Sequence, residues 1–260
     1  MERRKQRIAG RFSRFANTYE QYAEVQRSAA AQLAAEFAGL AAILPPGPLL
    51  ELGCGTGLLS TRLLDVFPER VIFFSDLAPG MVEFCRQKLS SRLAANGRHH
   101  FQVLDGENPP PSPRYALIVS SLTMQWFADL ESSIARLLAA LTPGGYLLFS
   151  VVGANTFSDW RRLCSELALP CTINPFPALA AVVEMVGGRS VSCRREEELR
   201  SYPSAREFFR SLQRIGAGTS LAAPPLSPGQ LRTLIRAWDE RSPEGVAVNY
   251  EIIYAVLAKE

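Results

Sequence analysis

From about residue 48 the chain alternates short apolar runs with stretches of helical length. The runs at 49–52, 71–74, 101–104, 115–120 and 146–152 are apolar on both faces, which suits parallel strands covered by helices on each side. Helical segments fall between them near 57–66, 79–94 and 130–141. The last stops at Thr142-Pro143-Gly144-Gly145, a breaker cluster that turns the chain into a strand. Such alternation predicts an open, doubly wound α/β sheet.

Two regions depart from it. Residues 1–44 read as helix, with an apolar stripe that begins at Tyr19, Tyr22 and Ala23, runs to Ile43 and breaks at Pro45-Pro46-Gly47-Pro48. The stretch 153–187, punctuated by Pro170, Pro175 and Pro177, is poor in strand signals and reads as a helical insertion. Beyond 189 the pattern predicts a strand, a helix opening at Pro203, a second opening at Ser227-Pro228, and a closing strand from Val246 to Ala258. The prolines at 109–113 read as a loop.

Composition narrows the class. Of 260 residues, 47% are hydrophobic and 20% charged, a globular balance, and the net charge of +3 is too small to declare a polyanionic partner. No segment approaches the roughly 18 consecutive apolar residues of a membrane span. Met-Glu-Arg-Arg-Lys has no apolar run behind it, so no secretory signal is expected. The five cysteines are scattered with no C-x-x-C pair, and the two histidines, His99 and His100, are adjacent. No metal site is expected, and a reduced, cytoplasmic chain is.

The chemistry concentrates in Glu51-Leu52-Gly53-Cys54-Gly55-Thr56-Gly57, which ends the first strand and opens the first helix. Glycines there let the backbone turn tightly and approach a ligand, although packing alone can also require them. Asp76 ends the second strand, where an acid can accept from both ribose hydroxyls of a nucleoside or cap a helix before Pro79. Asp105, followed by Gly106 at the end of the third strand, can take the amino group of an adenine. A dinucleotide site would favour G-x-G-x-x-G at a helix N-terminus facing a pyrophosphate. Glu51 ahead of the glycines would repel that group and suits a cationic ligand instead.

The string E-L-G-C-G-T-G resembles motif I of the class I S-adenosylmethionine-dependent methyltransferases, and the likeness continues through Asp76-Leu77, Asp105-Gly106 and Leu141-Thr142-Pro143-Gly144-Gly145. Arg11 to Arg27, Ser121-Leu122 with Gln125-Trp126, Ser211 to Ala217 and the strand from Tyr250 are similar to the malonyl-acyl carrier protein O-methyltransferases of biotin synthesis. That resemblance implies a mostly parallel, seven-stranded Rossmann-like sheet over 45–260 with a helical lid over 1–44. It also implies S-adenosyl-L-methionine as cofactor, with Gln26, Glu51, Gly53, Gly55, Gly57, Asp76, Leu77, Met81, Asp105, Gly106, Ser120 and Leu122 around it.

The implied acceptor is the free carboxylate of a malonyl group on acyl carrier protein or coenzyme A. It is ionised well below pH 7 and needs no general base. Proximity and removal of water then suffice. Tyr19, Gln125 and Trp126 are the candidate catalytic groups; Tyr22, Trp126, Phe157 and Phe176 could equally be core. Tyr19 and Gln26, seven apart, would share one helix face. Arg206, Arg210 and Arg214 recur at helical spacing and offer a docking face for an acidic carrier protein, whereas Arg3 to Lys5 read as a frayed, solvated terminus. Two other readings stand beside this one: a methyltransferase of another small molecule, and an RNA-binding enzyme using the basic N-terminus with Phe12 and Phe15 for stacking.

Overall fold

A computed structural model describes residues 2–93, 97–110, 114–218 and 225–260. Its centre is a seven-stranded sheet: β1 (Leu49–Leu52), β2 (Ile72–Asp76), β3 (His99–Val103), β4 (Tyr115–Ser121), β5 (Leu141–Val152), β6 (Ser190–Tyr202) and β7 (Val246–Ala258), in the order β3-β2-β1-β4-β5-β7-β6. The first five are parallel, and β7 runs antiparallel to both β5 and β6, so the sheet is mixed. β2 and β3 grow outward on one side of β1 while β4 starts the other side. The crevice between β1 and β4, at their carboxyl ends, is where such sheets bind ligands.

Strand alternation feeds two apolar layers. Leu49, Ile72, Phe74, Leu117 and Val119 join one buried cluster, Leu50, Leu52, Ile118, Leu147 and Phe149 the other. Leu33 and Phe37 of α2 (Glu24–Leu40), Leu63 of α3 (Leu58–Val66) and Cys85 of α4 (Pro79–Leu89) cover the first; Ile134 and Leu137 of α5 (Leu130–Ala140) and Val182 of α7 (Leu179–Val186) cover the second. The breaker cluster lies inside β5 as a bulge. A Cβ on Gly145 would come within 2.9 Å of the Thr142 carbonyl and 3.1 Å of those of Tyr115 and Ala116, so only glycine fits.

The N-terminal region differs from the single helix expected. α1 (Glu2–Tyr19) and α2 are separate, broken at residues 20–23, so Tyr19 and Gln26 do not share a helix face. Tertiary packing decides the break: Ala23 is fully buried in the main core, whereas α1 leaves to lie along α4. The insertion between β5 and β6 holds α6 (Ser158–Glu166) and α7. Pro203 precedes rather than opens α8 (Ala205–Arg214), whose N-cap is Ser204. α9 (Pro228–Arg241) opens as expected, with Pro228 in its first turn and a Ser227–Gln230 capping box. Part of the 109–113 proline loop lies outside the described residues. Among those described, no helix is long and apolar enough to cross a membrane.

Candidate active site

The glycine loop after β1 is held by the ends of its neighbours. The Cys54 N–H donates to the Ser75 carbonyl at 2.8 Å, and the Gly55 N–H donates to Asp76 Oδ2 at 2.9 Å. Asp76 Oδ1 accepts the Ala78 N–H at 2.8 Å, so Asp76 shapes both the loop and the approach to α4 without capping that helix; Ala78 holds the cap position. Gly53, at φ +74°, carries the closest approach: a Cβ there would fall 2.0 Å from Thr123 Oγ1 in the turn after β4. Any side chain would push β1 and β4 apart where the crevice opens.

Beside this loop lies a cavity. Gly53, Gly55, Asp76, Leu77, Met81, Asp105, Gly106 and Leu122 line it from the sheet side, and Lys5, Ile8, Phe12 and Tyr19 of α1 close it from above. Its acids are Asp76, Asp105 and Glu107, and its sole cation among the described residues is Lys5. Burial pushes the Asp76 carboxyl up to about 6, against the pull of the Ala78 and Gly55 N–H groups. Glu51 sits behind the loop, almost fully buried, with Oε2 unpartnered. Burial raises it to about 8; a Ser60 hydrogen bond draws it back and the Asp76 charge adds to the rise. A cation brought here would find carboxylates whose ionisation is opposed by burial and, at Glu51, by the Asp76 charge.

A second, larger cavity opens on the far side of Tyr19 and Trp126. It is walled by Val25 and Gln26 of α2, Gln125, Phe157, Trp160, Phe176, Tyr250 and the buried face of α8. Among its described lining residues none is charged. Phe12, Tyr19, Leu122 and Trp126 border both cavities, and the Phe12 and Trp126 rings meet edge to face with centroids 5.6 Å apart. Burial, with the Asp76 and Glu20 charges behind it, holds the Tyr19 hydroxyl far above its ordinary value, so it remains a neutral donor. Gln125 gives Nε2–H to the Leu122 carbonyl at 2.7 Å, while its Oε1 is buried without a partner.

The structure separates residues that sequence reasoning groups together. Gln26 lines the uncharged chamber rather than the acid-lined cavity. Gly57 caps α3 in a left-handed conformation and reaches neither wall. Glu51 backs the cavity without lining it. Ser120 is fully buried and donates to the Leu52 carbonyl at 3.1 Å; its neighbour Ser121, pointing to the other face of β4, lines the cavity. Trp126, Phe157 and Phe176 reach the chamber, and Tyr22 packs on the main core. Arg206, Arg210 and Arg214 are exposed along α8, with Arg210 paired to Glu207 at 2.6 Å. Lys5, expected in a frayed terminus, lines the cavity instead. Ile8, Glu107, Thr123 and Phe127 are further lining residues that the sequence motifs do not mark, although Glu107 carries a signal as an acid two residues after Asp105.

The methyltransferase domain model matches residues 50–147, from β1 into β5. The malonyl-[acyl-carrier protein] O-methyltransferase of Magnetococcus marinus is 32% identical over 95% of this chain and 90% of its own length. The chain belongs to that family. The enzyme of Paenibacillus is 32% identical over 98% of this chain and the whole of its own. The biotin biosynthesis bifunctional protein of Bordetella avium is 37% identical over 95% of this chain, which spans 51% of that longer protein. The YcgJ protein of Bacillus subtilis shares the fold at 12% identity, with a TM-score of 0.60 over 88% of this chain and 99% of its own. Membership makes the chain a methyltransferase with S-adenosyl-L-methionine as cofactor. The acid-lined cavity and the orphaned Glu51 oxygen fit a ligand carrying a sulfonium and an ammonium.

Proposed function

We propose that this enzyme methylates the free carboxylate of a malonyl group carried on acyl carrier protein, giving a methyl ester for biotin synthesis in the cytoplasm. The carrying observation is the division of charge: three acids line one cavity, no charged side chain among the described residues lines the other, and the two meet at Phe12, Tyr19, Leu122 and Trp126. The cofactor supplies an electrophilic methyl group. Asp76 would accept from the ribose hydroxyls, Asp105 from the adenine amino group, and the Gly53–Gly55 backbone would lie along the sugar. Leu77 and Met81 supply the apolar wall, and Glu51 backs the cationic end.

On the acceptor side the chain strips water from a carboxylate that is already ionised, so no side chain must take a proton. The Tyr19 hydroxyl and the Gln125 amide would orient it as neutral donors, with Trp126 as the wall that aligns it. Gln26 would hold the acyl arm within the chamber. Positioning of this kind can be worth several kcal/mol. Of the 1–44 segment, α1 would serve as the lid of the methyltransferase domain, while α2 belongs to the packed core. Arg206, Arg210 and Arg214 present a basic face to an acidic carrier protein.

The test is methyl transfer from S-adenosyl-L-methionine to malonyl-carrier protein, with succinyl-carrier protein, acetyl-carrier protein and malonyl-coenzyme A in parallel. Turnover confined to malonyl thioesters supports the reading. Equal turnover of acetyl-carrier protein, which has no free carboxylate, overturns it.

A further inference from the structure

Of the run Arg3 to Lys5, expected to fray, Arg4 and Lys5 are held by the domain. Lys5 is 15% exposed, and its ammonium bonds Asp105 Oδ2 at 2.6 Å and also reaches the Glu107 carboxylate, itself 6% exposed. Glu107 is fixed in turn, because its Oε1 accepts the Ala128 N–H at 2.7 Å and the Asp129 N–H at 3.3 Å. Arg4 reaches the Phe127 carbonyl at 3.5 Å. The N-terminal end of α1 is thus tied to the segments after β3 and β4, above the adenine end of the cavity.

The rest of α1 packs largely outside the main core. It packs through a satellite cluster of Ala16, Ala78 and Met81, reaches the main core at Tyr19, and touches α4 where a Cβ on Gly80 would fall 2.8 Å from Ser13. The break at residues 20–23 separates it from α2, which is embedded in the core. A helix packed largely outside the main core, with a break at one end and an ion pair at the other, has the make-up of a local unit that can open without the domain unfolding. Ile8, Phe12 and Tyr19 cover one side of the cavity, so α1 borders the path by which a nucleoside would enter or leave.

Resting on the nucleoside assignment above, we propose that Lys5 is the latch of this lid: its ion pair with Asp105 and Glu107 holds α1 closed and sets how long a nucleoside ligand stays bound. Two acids close together at the adenine end receive one ammonium, so closing the lid also relieves their mutual repulsion. Glu107 keeps the latch when Asp105 turns to the ligand's amino group. Burial alone would raise Asp105, yet the bonds from Lys5 and Asn108 hold it below its ordinary value, in keeping with a working pair.

The experiment measures dissociation of S-adenosylhomocysteine from the full chain by stopped-flow displacement, for wild type, Lys5→Met and Lys5→Arg. Chymotryptic cleavage after Phe12 and Phe15 is followed in parallel. Loss of a partly buried ion pair should make dissociation from Lys5→Met about tenfold faster and cleavage faster, with Lys5→Arg close to wild type. Raising salt should speed wild type toward the methionine variant and leave that variant almost unchanged. Equal dissociation and cleavage in wild type and Lys5→Met would overturn the latch while leaving the nucleoside site standing. Slower release from Lys5→Met would overturn it too, making Lys5 a competitor for Asp105. Failure of wild type to bind S-adenosylhomocysteine would overturn the nucleoside assignment and the latch together.

Discussion

Replacing Asp76 with asparagine tests the nucleoside site at its most constrained point. The carboxylate already accepts two backbone N–H groups, from Gly55 at 2.9 Å and Ala78 at 2.8 Å, and its remaining lone pairs are those offered to a ribose. An amide has one acceptor oxygen, so in Asp76→Asn one backbone N–H faces an NH2 group and the charge on the ribose bonds is lost. Charge-assisted bonds are worth roughly 1.5–3 kcal/mol, so affinity for S-adenosylhomocysteine should fall by about 2–3 kcal/mol, near 30- to 150-fold in Kd. Titration calorimetry with this neutral thioether isolates the ribose contribution. S-adenosylmethionine should lose more, since its sulfonium also loses a carboxylate partner. Folding stability should change little, because the lost backbone bond is offset by removal of a carboxyl that burial has driven up to about 6. A folded variant with unchanged Kd would refute the reasoning and leave Asp76 as a brace for the glycine loop alone.

Other outcomes follow from the same geometry. Glu51 stands at about 8 in the fold against 4.5 when free, so the folded state binds a proton that the unfolded state releases. Its contribution makes the ligand-free enzyme lose stability as pH rises from about 4.5 to 8, and a bound cation should reverse the preference. Thermal unfolding across that range, and calorimetry in buffers of different ionisation enthalpy, should show affinity for S-adenosylmethionine rising and protons being released. Arg210→Glu with Arg214→Glu should raise KM for the carrier-linked substrate about tenfold at low ionic strength, less at high salt, and leave cofactor affinity unchanged. With cofactor saturating, the single-turnover rate should be flat from about pH 6 to 8.5 and insensitive to His99→Ala with His100→Ala, because a carboxylate nucleophile needs no base. Tyr19→Phe should slow that step while sparing cofactor Kd.

What the chain discloses before folding depends on the range of the forces involved. β1, β4 and β7 were legible almost to the residue, because they are mostly apolar runs bounded by Gly53, Ser121 and the turn at 242–245. Asp76 and Asp105 were legible because strand ends in parallel sheets converge on one edge. The break at residues 20–23 was not: Glu20, Gln21, Tyr22 and Ala23 include no helix breaker, and the helix stops because α1 gains more by lying on α4. Lys5 in a run of basic residues looks solvated until Asp105 and Glu107, a hundred residues on, receive it. Ser120 and Ser121 were separable in principle, since period two sends adjacent side chains to opposite faces. That test needs the orientation of β4, which only its pairing with β1 supplies.

The two cavities also explain why an enzyme of this kind can dispense with an acid–base pair at the methyl junction. The junction is built from Phe12, Tyr19, Leu122 and Trp126, and the one ionisable group among them is held neutral by burial. An amine or hydroxyl acceptor would have to lose a proton during transfer, and nothing at this junction is placed to take it. A carboxylate arrives without one. Its cost is desolvation, which the apolar chamber imposes and neutral donors repay only in part. The remaining attraction must come from across the junction, where the acids of the other cavity collect a cationic ligand behind the closed lid. Once the methyl group has moved, ester and thioether are both neutral, and the attraction that drew the reactants together is gone. The charge division between the cavities therefore favours release of products as well as encounter of reactants.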